Sequence, residues 1–353
     1  MNKLLRIYDK ISLLRVKLPR IIDARKELSL KNNYLSIRKL TPQESAAVKS
    51  FWGGVKPNTK YLSLYNTHNT IFDPRYIPDD MYYSKIDLYF NNGVDCFALD
   101  DKNMYDLYFP HTKQPRTIIR KINGSFLDKD YHLISLDFAI EECKKERNII
   151  IKKAICSNGG KSIVFWHTNE GTDILKDKLS ASYDFIVQEI ITQHPDIAKL
   201  HPTSINTIRI LTLLFDDQVH ILSAIIRMGA NGSKVDNGHS GGVFCGIDKN
   251  GQLKDIAYTY MTGQRFERYH PTTGAVFSDC IIPNFDKCKK MIRELAPRIS
   301  RVSRLTSWDL SITEDGSPTL IEVNLAYGGL FFHQITNGPV FGNMTKKIID
   351  TVL

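Results

Sequence analysis

From Arg116 onward the apolar residues of this chain come in short, β-branched runs that a turn signal or a charge breaks within a few positions: 117–122, 148–152, 162–167, 185–191, 207–215, 219–227 and 243–247. Runs of that length and composition favour strands. Helical patterns at 135–145 and 285–301 lie between some of them, and a last pair of strands, 308–313 and 320–323, is joined by the turn Glu314-Asp315-Gly316. The pattern predicts an α+β body with antiparallel sheets. It also excludes a membrane-spanning helix. Even the greasiest stretches, 149–151 and 221–226, are cut off by Lys, Ser or Arg well short of the roughly 18 apolar residues that a span requires.

Ahead of Arg116 the chain reads differently. Residues 1–30 form a basic helical pattern, with Leu4, Leu5, Ile7, Ile11, Leu14 and Leu18 at near-helical spacing, and Pro19 is expected to bend or end it. Thr41-Pro42-Gln43-Glu44 announces a second helix that runs to about Trp52: Thr caps, Pro occupies the first helical position, and Glu can complete a capping box. Between Tyr61 and Pro110 the chain is rich in Tyr, Asn and Asp, with turn signals at Asp73-Pro74, Pro78-Asp79-Asp80 and Asn91-Asn92-Gly93. An irregular, ordered leader is expected there. The 353 residues suffice for about two domains beyond such a leader, at 42% hydrophobic and 24% charged residues, the balance of a globular chain. The expected division is a basic segment (1–30), a leader domain (31–110), a small subdomain (111–186) and a larger one (187–353).

The net charge of +9 is confined to one end. Residues 1–60 hold 9 Lys and 5 Arg against 2 Asp and 2 Glu, or +10, and the remaining 33 basic and 34 acidic residues give −1. A nucleic-acid enzyme carries its basic stripe across the folded body, so no nucleic acid is expected as a partner. A basic terminal segment instead matches an anionic membrane surface, and residues 1–30 are expected either to touch one peripherally or to dock their apolar face onto the leader domain with the lysines solvated. Because Arg15, Lys17 and Arg20 break up the start, it lacks the apolar core of a signal peptide, which predicts a cytoplasmic location, at the inner face of the membrane where that contact is made. Six cysteines at irregular spacing, with no C-x-x-C, read as buried free thiols.

The residues that could carry chemistry are mostly on strands. Asp309 and the alternating pair Glu322 and Asn324 flank the last hairpin, and two residues apart on a strand means one face. Three hard oxygen ligands there suit magnesium, whereas a surface hairpin would simply solvate them; the apolar Leu320, Ile321 and Val323 argue for a core hairpin. Lys152 and Lys153 end a strand ahead of Ser157-Asn158-Gly159-Gly160-Lys161, which can set an ammonium and backbone N–H groups around phosphate oxygens. Gly160-Lys161-Ser162 is not a P-loop, because Ile155 stands where the first glycine must be. Arg209 and Arg227 lie in strands among Ile and Leu; facing inward, each needs an anion, and facing outward, each is ordinary alternation. Asp236-Asn237, followed by Gly241-Gly242, forms a polar loop suited to phosphate or carboxylate contacts.

In this order the pieces resemble the ATP-grasp superfamily, and more closely the sugar-transfer associated ATP-grasp family. The resemblance rests on Asp101-Lys102, Gln193-His194-Pro195, Asn206-Thr-Ile-Arg209, Arg227-x-Gly229, Asp236-Asn237, Gly241-Gly242, His270-Pro271, Trp308-Asp309 and Glu322-x-Asn324, across residues 95–335. It implies two α+β subdomains clasping ATP. Lys152, or Lys153 beside it, would reach the phosphates, with Ser157, Gly159, Gly160 and Lys161 closing over them; Arg120 or Lys121 would supply a second phosphate contact. Gln188, Glu189 and Ile190 would form the hinge along the adenine. Asp309, Glu322 and Asn324 would hold one or two Mg²⁺ ions, and Arg209, Arg227 and Asn237 would steady the transferred phosphoryl group and the carboxylate.

The implied reaction is ADP-forming carboxylate–amine ligation through an acyl phosphate, joining an amino acid or similar group to a sugar in surface-polysaccharide or capsule biosynthesis. Small-molecule carboxylate, amine or sugar-linked substrates are the partners expected. A kinase acting on a sugar hydroxyl is the alternative on the same fold, with Asp236 or His239 as general base. A non-catalytic binding protein is a second, which the intact set Asp309, Glu322 and Asn324 disfavours.

Overall fold

Two antiparallel sheets stand where the short runs predict strands. The computed structural model describes residues 2–67, 69, 71–91, 99–155, 163–238 and 241–353, with side chains from Leu14 onward. The smaller sheet contains β1 (Thr117–Ile122), β2 (Ser125–Asp128), β3 (Leu133–Ile134), β4 (Asn148–Lys153), β5 (Ile163–His167) and β6 (Phe185–Glu189), in the order β3-β2-β1-β6-β4-β5. Strand alternation sends Ile119, Ile149, Ile151, Phe185 and Val187 to one face, where helices Leu136–Lys144 and Thr172–Leu179 bury them. Ile150, Lys152, Ile186 and Gln188 therefore share the opposite face.

The larger sheet has seven strands: β7 (Thr207–Phe215), β8 (Gln218–Met228), β9 (Val243–Ile247), β10 (Leu253–Thr259), β11 (Arg265–Glu267), β12 (Leu305–Ile312) and β13 (Pro318–Asn324), ordered β11-β10-β9-β8-β7-β12-β13. Ile208, Ile210, Ile226, Trp308 and Leu310 point to one face and pack under helix Phe285–Leu295. On the other face Leu211, Leu213 and Leu305 meet Val48 and Trp52 of the leader, while Ile225 and Phe244 meet Leu28, Tyr65 and Phe331. The leader thus closes the second face of the sheet and shares its core.

Helix α2 (Pro42–Trp52) starts as its sequence predicts. The Thr41 hydroxyl accepts from the Glu44 N–H at 3.2 Å, and the Glu44 carboxylate accepts from the Thr41 N–H at 2.8 Å. Two helix limits differ from expectation. Helix α1 (Asn2–Asn32) runs on past Pro19. The missing proline N–H removes one ladder bond, but docking begins at the next residue: Arg20, Ala24 and Leu28 form a buried stripe, and Arg20 pairs with Asp87 at 2.5 Å. The helix expected over 285–301 stops at Leu295 and continues as the 3₁₀ turn Ala296–Ile299, because Pro297 cannot donate to the α-ladder.

One short segment wedges between the sheets. Asp101 caps the turn Lys102–Met104 by accepting from the Asn103 N–H, and the Lys102 N–H donates to the Ala154 carbonyl just past β4. Asn103 donates to the Lys121 carbonyl of β1, and the Tyr105 hydroxyl accepts from the Val323 N–H of β13 at 3.2 Å. Cys143, Cys245, Cys280 and Cys288 are free and buried. Among the described residues no helix is long and apolar enough to cross a membrane.

Candidate active site

Four neighbouring strands of the large sheet bring separated charges onto two adjacent rungs of one face. Asp309 of β12 stands opposite Arg209 of β7 on one side and Glu322 of β13 on the other; Thr207 stands opposite Arg227 of β8, and Ser307 opposite Asn324. Arg209 grips Asp309 with two parallel bonds of 2.7 Å, from Nε to Oδ1 and from Nη2 to Oδ2. Arg227 reaches Asp309 Oδ2 at 3.1 Å and Asp236 Oδ1 at 2.9 Å, and the Thr207 hydroxyl holds the other Asp236 oxygen. Burial by itself would push the Asp309 carboxyl up. Arg209 and Arg227 outweigh it and hold the group below the ordinary carboxylate range. Asn324 donates to the same Oδ2 at 3.4 Å. Behind Arg209, burial pushes His333 down to about 3, so its ring stays neutral against the Ser223 hydroxyl.

Glycines let the loop behind Arg227 approach this closely. A Cβ on Gly242 would stand 2.7 Å from the Asp236 carbonyl oxygen and 2.9 Å from that of Asn237, and one on Gly229 would meet the His201 ring and the Ser204 hydroxyl at 2.7 Å. Asn237 is buried in that loop. Gly241 has a positive φ of 87°, and His239 lies outside the described residues.

The small sheet faces these rungs with cations of its own. Lys152 and Arg120 both stand opposite Ile186 across β6, which puts them on one face. Lys152 donates to the Gln188 side-chain oxygen at 3.2 Å, and Gln188 in turn donates to the Pro115 carbonyl. Lys153 alternates to the other face, 6.0 Å from the Tyr183 ring. Although Lys152 is only partly buried, its ammonium is walled in by protein, and that burial, with the Lys102 charge added, pushes it down to about 8. Arg120 is committed: it donates to the Asn103 carbonyl at 2.6 Å, pairs with Asp106, and lies 4.3 Å from the Tyr131 ring. Lys121 points away and donates to the Ala181 carbonyl. A cavity of about 240 Å³ opens over this face, lined by Lys102, Thr117, Arg120, Ile186 and Gln188 among others.

Lys102 bridges the two halves. Its ammonium meets Glu322 Oε1 at 2.8 Å, and Glu322, against the pull of burial, is held low by that charge. Burial lowers the lysine in turn, but Glu322 overrides it and leaves it raised. Small-sheet lysine, bridging lysine, carboxylates and paired arginines make one line of charge, and over residues 88–350 the chain matches the sugar-transfer associated ATP-grasp family. The chain belongs to that family.

Its two antiparallel sheets, with the cleft between them, form the ATP-grasp fold. Solved structures similar to it include N5-carboxyaminoimidazole synthetase from Staphylococcus aureus complexed with ADP, at 9% identity over 70% of this chain and 52% of that one, TM-score 0.43. D-cycloserine synthetase DcsG follows at 11% identity over 72% of each chain, TM-score 0.42, and an L-amino acid ligase from Bacillus licheniformis at 14% over 72% and 48%, TM-score 0.40. The chain spans about half the length of the first and third of these. No curated protein matches it.

In this ATP-grasp chain the remaining sequence-derived candidates fall unevenly. Glu189 accepts from the Arg116 N–H at 3.0 Å and pairs with the Arg116 guanidinium at 3.4 Å, at the end of β6; Ile190 follows it, exposed. Ser157, Gly159, Gly160 and Lys161 lie outside the described residues. Asp309, Glu322 and Asn324 share one face, but among the described residues no group of three or more His, Cys, Asp or Glu is gathered for a metal. Two carboxylates and an amide do suit magnesium, which completes its shell with water and phosphate oxygens. Glu322 suits it better than Asp309, since Glu322 pairs with an ammonium on a flexible stem and Asp309 with a bidentate guanidinium. Sequence reasoning gave Lys102 no role. Its one signal was the Asp101-Lys102 pair within the family resemblance, while the partner that explains it lies 220 positions downstream at Glu322.

Proposed function

We propose that the protein is an ATP-dependent carboxylate–amine ligase of the ADP-forming kind. The observation that carries the reading is the line of charge from Lys152 through Lys102 and Glu322 to Asp309, Arg209 and Arg227, which crosses from one sheet to the other. In this reading ATP lies against the small-sheet face, with its phosphates toward Lys152 and Lys102 and Gln188 beside it. A substrate carboxylate oxygen attacks the γ-phosphorus and the bond to ADP breaks. The resulting acyl phosphate is then attacked by an amine nitrogen; the amide bond forms, phosphate leaves, and the amine proton goes to solvent. Glu322, Asp309 and Asn324 would hold magnesium, which would supply charge neutralisation on the phosphate oxygens. Arg209 and Arg227 do the same from the protein side, in a cleft where such charges act strongly.

The rest of the reading concerns setting. The description of the family points to sugars, so the acceptor or donor is a sugar-linked carboxylate or amine in cytoplasmic surface-polysaccharide assembly. A kinase acting on a sugar hydroxyl is less well supported. It needs a general base, and of the two candidates the Asp236 carboxylate has both oxygens engaged, one by Arg227 and the other by Thr207, while His239 lies outside the described residues. The test is incubation with ATP, Mg²⁺ and a panel of amino acids and uronic-acid or amino sugars, followed by mass spectrometry. A condensation product with ADP and phosphate is expected. AMP and pyrophosphate would reject the acyl phosphate, and a phosphorylated sugar would favour the kinase.

A further inference from the structure

Helix α1 is about 46 Å long at 1.5 Å per residue, and among the side chains described, those from Leu14 onward, docking begins past Pro19. The buried stripe of Arg20, Ala24, Leu28 and Lys31 starts just past Pro19. In the preceding turns Leu14 is 59% exposed, Val16 46% and Leu18 55%, and Ile22 on the following turn is 42% exposed. Leu14, Leu18 and Ile22 recur every four residues and so lie along one face. Upstream in the sequence, Leu4, Ile7 and Ile11 continue that spacing. Lys3, Arg6, Lys10, Arg15 and Lys17 against Asp9 give residues 2–18 a net charge of +4, while residues 61–353 together carry −1.

A single exposed leucine needs no explanation, but an unpartnered apolar row flanked by basic residues calls for an occupant. A second copy of the helix would set one +4 segment against another. An anionic lipid bilayer satisfies both features at once, taking the apolar row to the acyl boundary and the basic groups to the lipid phosphates. We propose that the first half of α1 is a docking surface for an anionic bilayer, lying in its plane. The docked half of the same helix carries Arg20, whose guanidinium is 4.2 Å from the Tyr327 ring in the loop that follows Asn324. Docking therefore sets the bilayer beside the cleft, within reach of an amphiphilic substrate. The proposal stands whether or not the ligase reading does.

The test is sedimentation of the full chain with vesicles of phosphatidylcholine alone and of phosphatidylcholine mixed with phosphatidylglycerol. Pelleting with the mixed vesicles only, weakened by salt, is expected. Arg15→Glu with Lys17→Glu should lower the partition coefficient by about tenfold or more, given the worth of each basic group at such a surface. Leu14→Glu with Leu18→Glu should do the same. Leu14, Arg15 and Leu18 are exposed and Lys17 half-buried, so the thermal midpoint and nucleotide binding should be unchanged, which separates lost docking from lost folding. The proposal is overturned if the wild type stays in the supernatant at low salt, or if both double variants still pellet. It is equally overturned if light scattering finds a dimer that Leu18→Glu dissolves, which would make a second copy the occupant.

Discussion

The two sheets meet across one cleft but hold their charges differently. On the large sheet Asp309 is gripped by Arg209 and touched by Arg227, which in turn holds Asp236. On the small sheet Lys152 meets only the neutral amide of Gln188 among the described residues, and burial lowers its affinity for a proton. A self-neutralised cluster is rigid before any ligand arrives, whereas an ammonium in a desolvated cleft gains most when an anion comes to it. The large sheet thus offers a prebuilt frame, and the small sheet offers the charge that a phosphate would complete. Lys102, on neither sheet, ties the two together through Glu322.

The contrast breaks most visibly at Asp309. Replacing it by Asn leaves buried Arg209 without its bidentate carboxylate and half-buried Arg227 with Asp236 alone, and removing one partner of such a cluster costs about 3–5 kcal/mol. Asp309→Asn should therefore lower the urea unfolding midpoint sharply and abolish turnover. A stability loss under about 1 kcal/mol, within the range of an exposed ion pair, would mean that the large-sheet frame is not self-supporting.

Glu322→Gln should separate chemistry from folding. Volume is kept and the large-sheet pairs remain, but the carboxylate that faces Lys102 is gone. Turnover should fall at least about a hundredfold, at roughly 1.4 kcal/mol per decade, with the circular dichroism spectrum unchanged. Wild-type activity in a folded variant would show that this hairpin serves only the core.

How much of this the sequence carries depends on whether a signal is local. Strands β7 and β9 sit at their expected limits because their apolar runs are bounded by turns on both sides. The strands β2, β3 and β11 carry no such signal, being two to four residues long, and in β10 Lys254 and Asp255 interrupt the apolar run; each gains its pairing from a neighbour rather than from its own pattern. The capping box of α2 is local too, and it is formed. By contrast, the sequence assigns Glu322 and Asp309 to magnesium, yet nothing near either residue announces that Lys102 and Arg209 stand against them. Such pairs exist only once β12 lies between β7 and β13 and the 101–108 segment is wedged in.

Lys152 sharpens the comparison through pH. Its folded value near 8 lies below the 10.5 of an unperturbed lysine, so between those limits the unfolded chain binds the extra proton. The stability of the free protein should rise with pH across that window, while its affinity for ATP falls, by at most about tenfold per unit, as the ammonium is lost. Titration calorimetry from pH 7 to 9.5 checks the second half, and a flat profile would rule Lys152 out as the phosphate contact. Lys152→Met should weaken binding at every pH and flatten that profile.

The smallest effect should come from its neighbour. Sequence alone leaves Lys152 and Lys153 open as the phosphate ligand, since both end the same run. A strand gives adjacent side chains opposite faces, and β4 turns Lys152 toward Gln188 and Lys153 toward the Tyr183 ring. Lys153→Met should therefore change ATP affinity by less than about twofold, well under one decade of 1.4 kcal/mol, with the pH profile intact. Tenfold weakening in Lys153→Met together with a normal Lys152→Met would reverse the assignment. It would require β4 to present its other face to the nucleotide, and with it the apolar row of Ile149 and Ile151 that now packs under the helices of the small sheet.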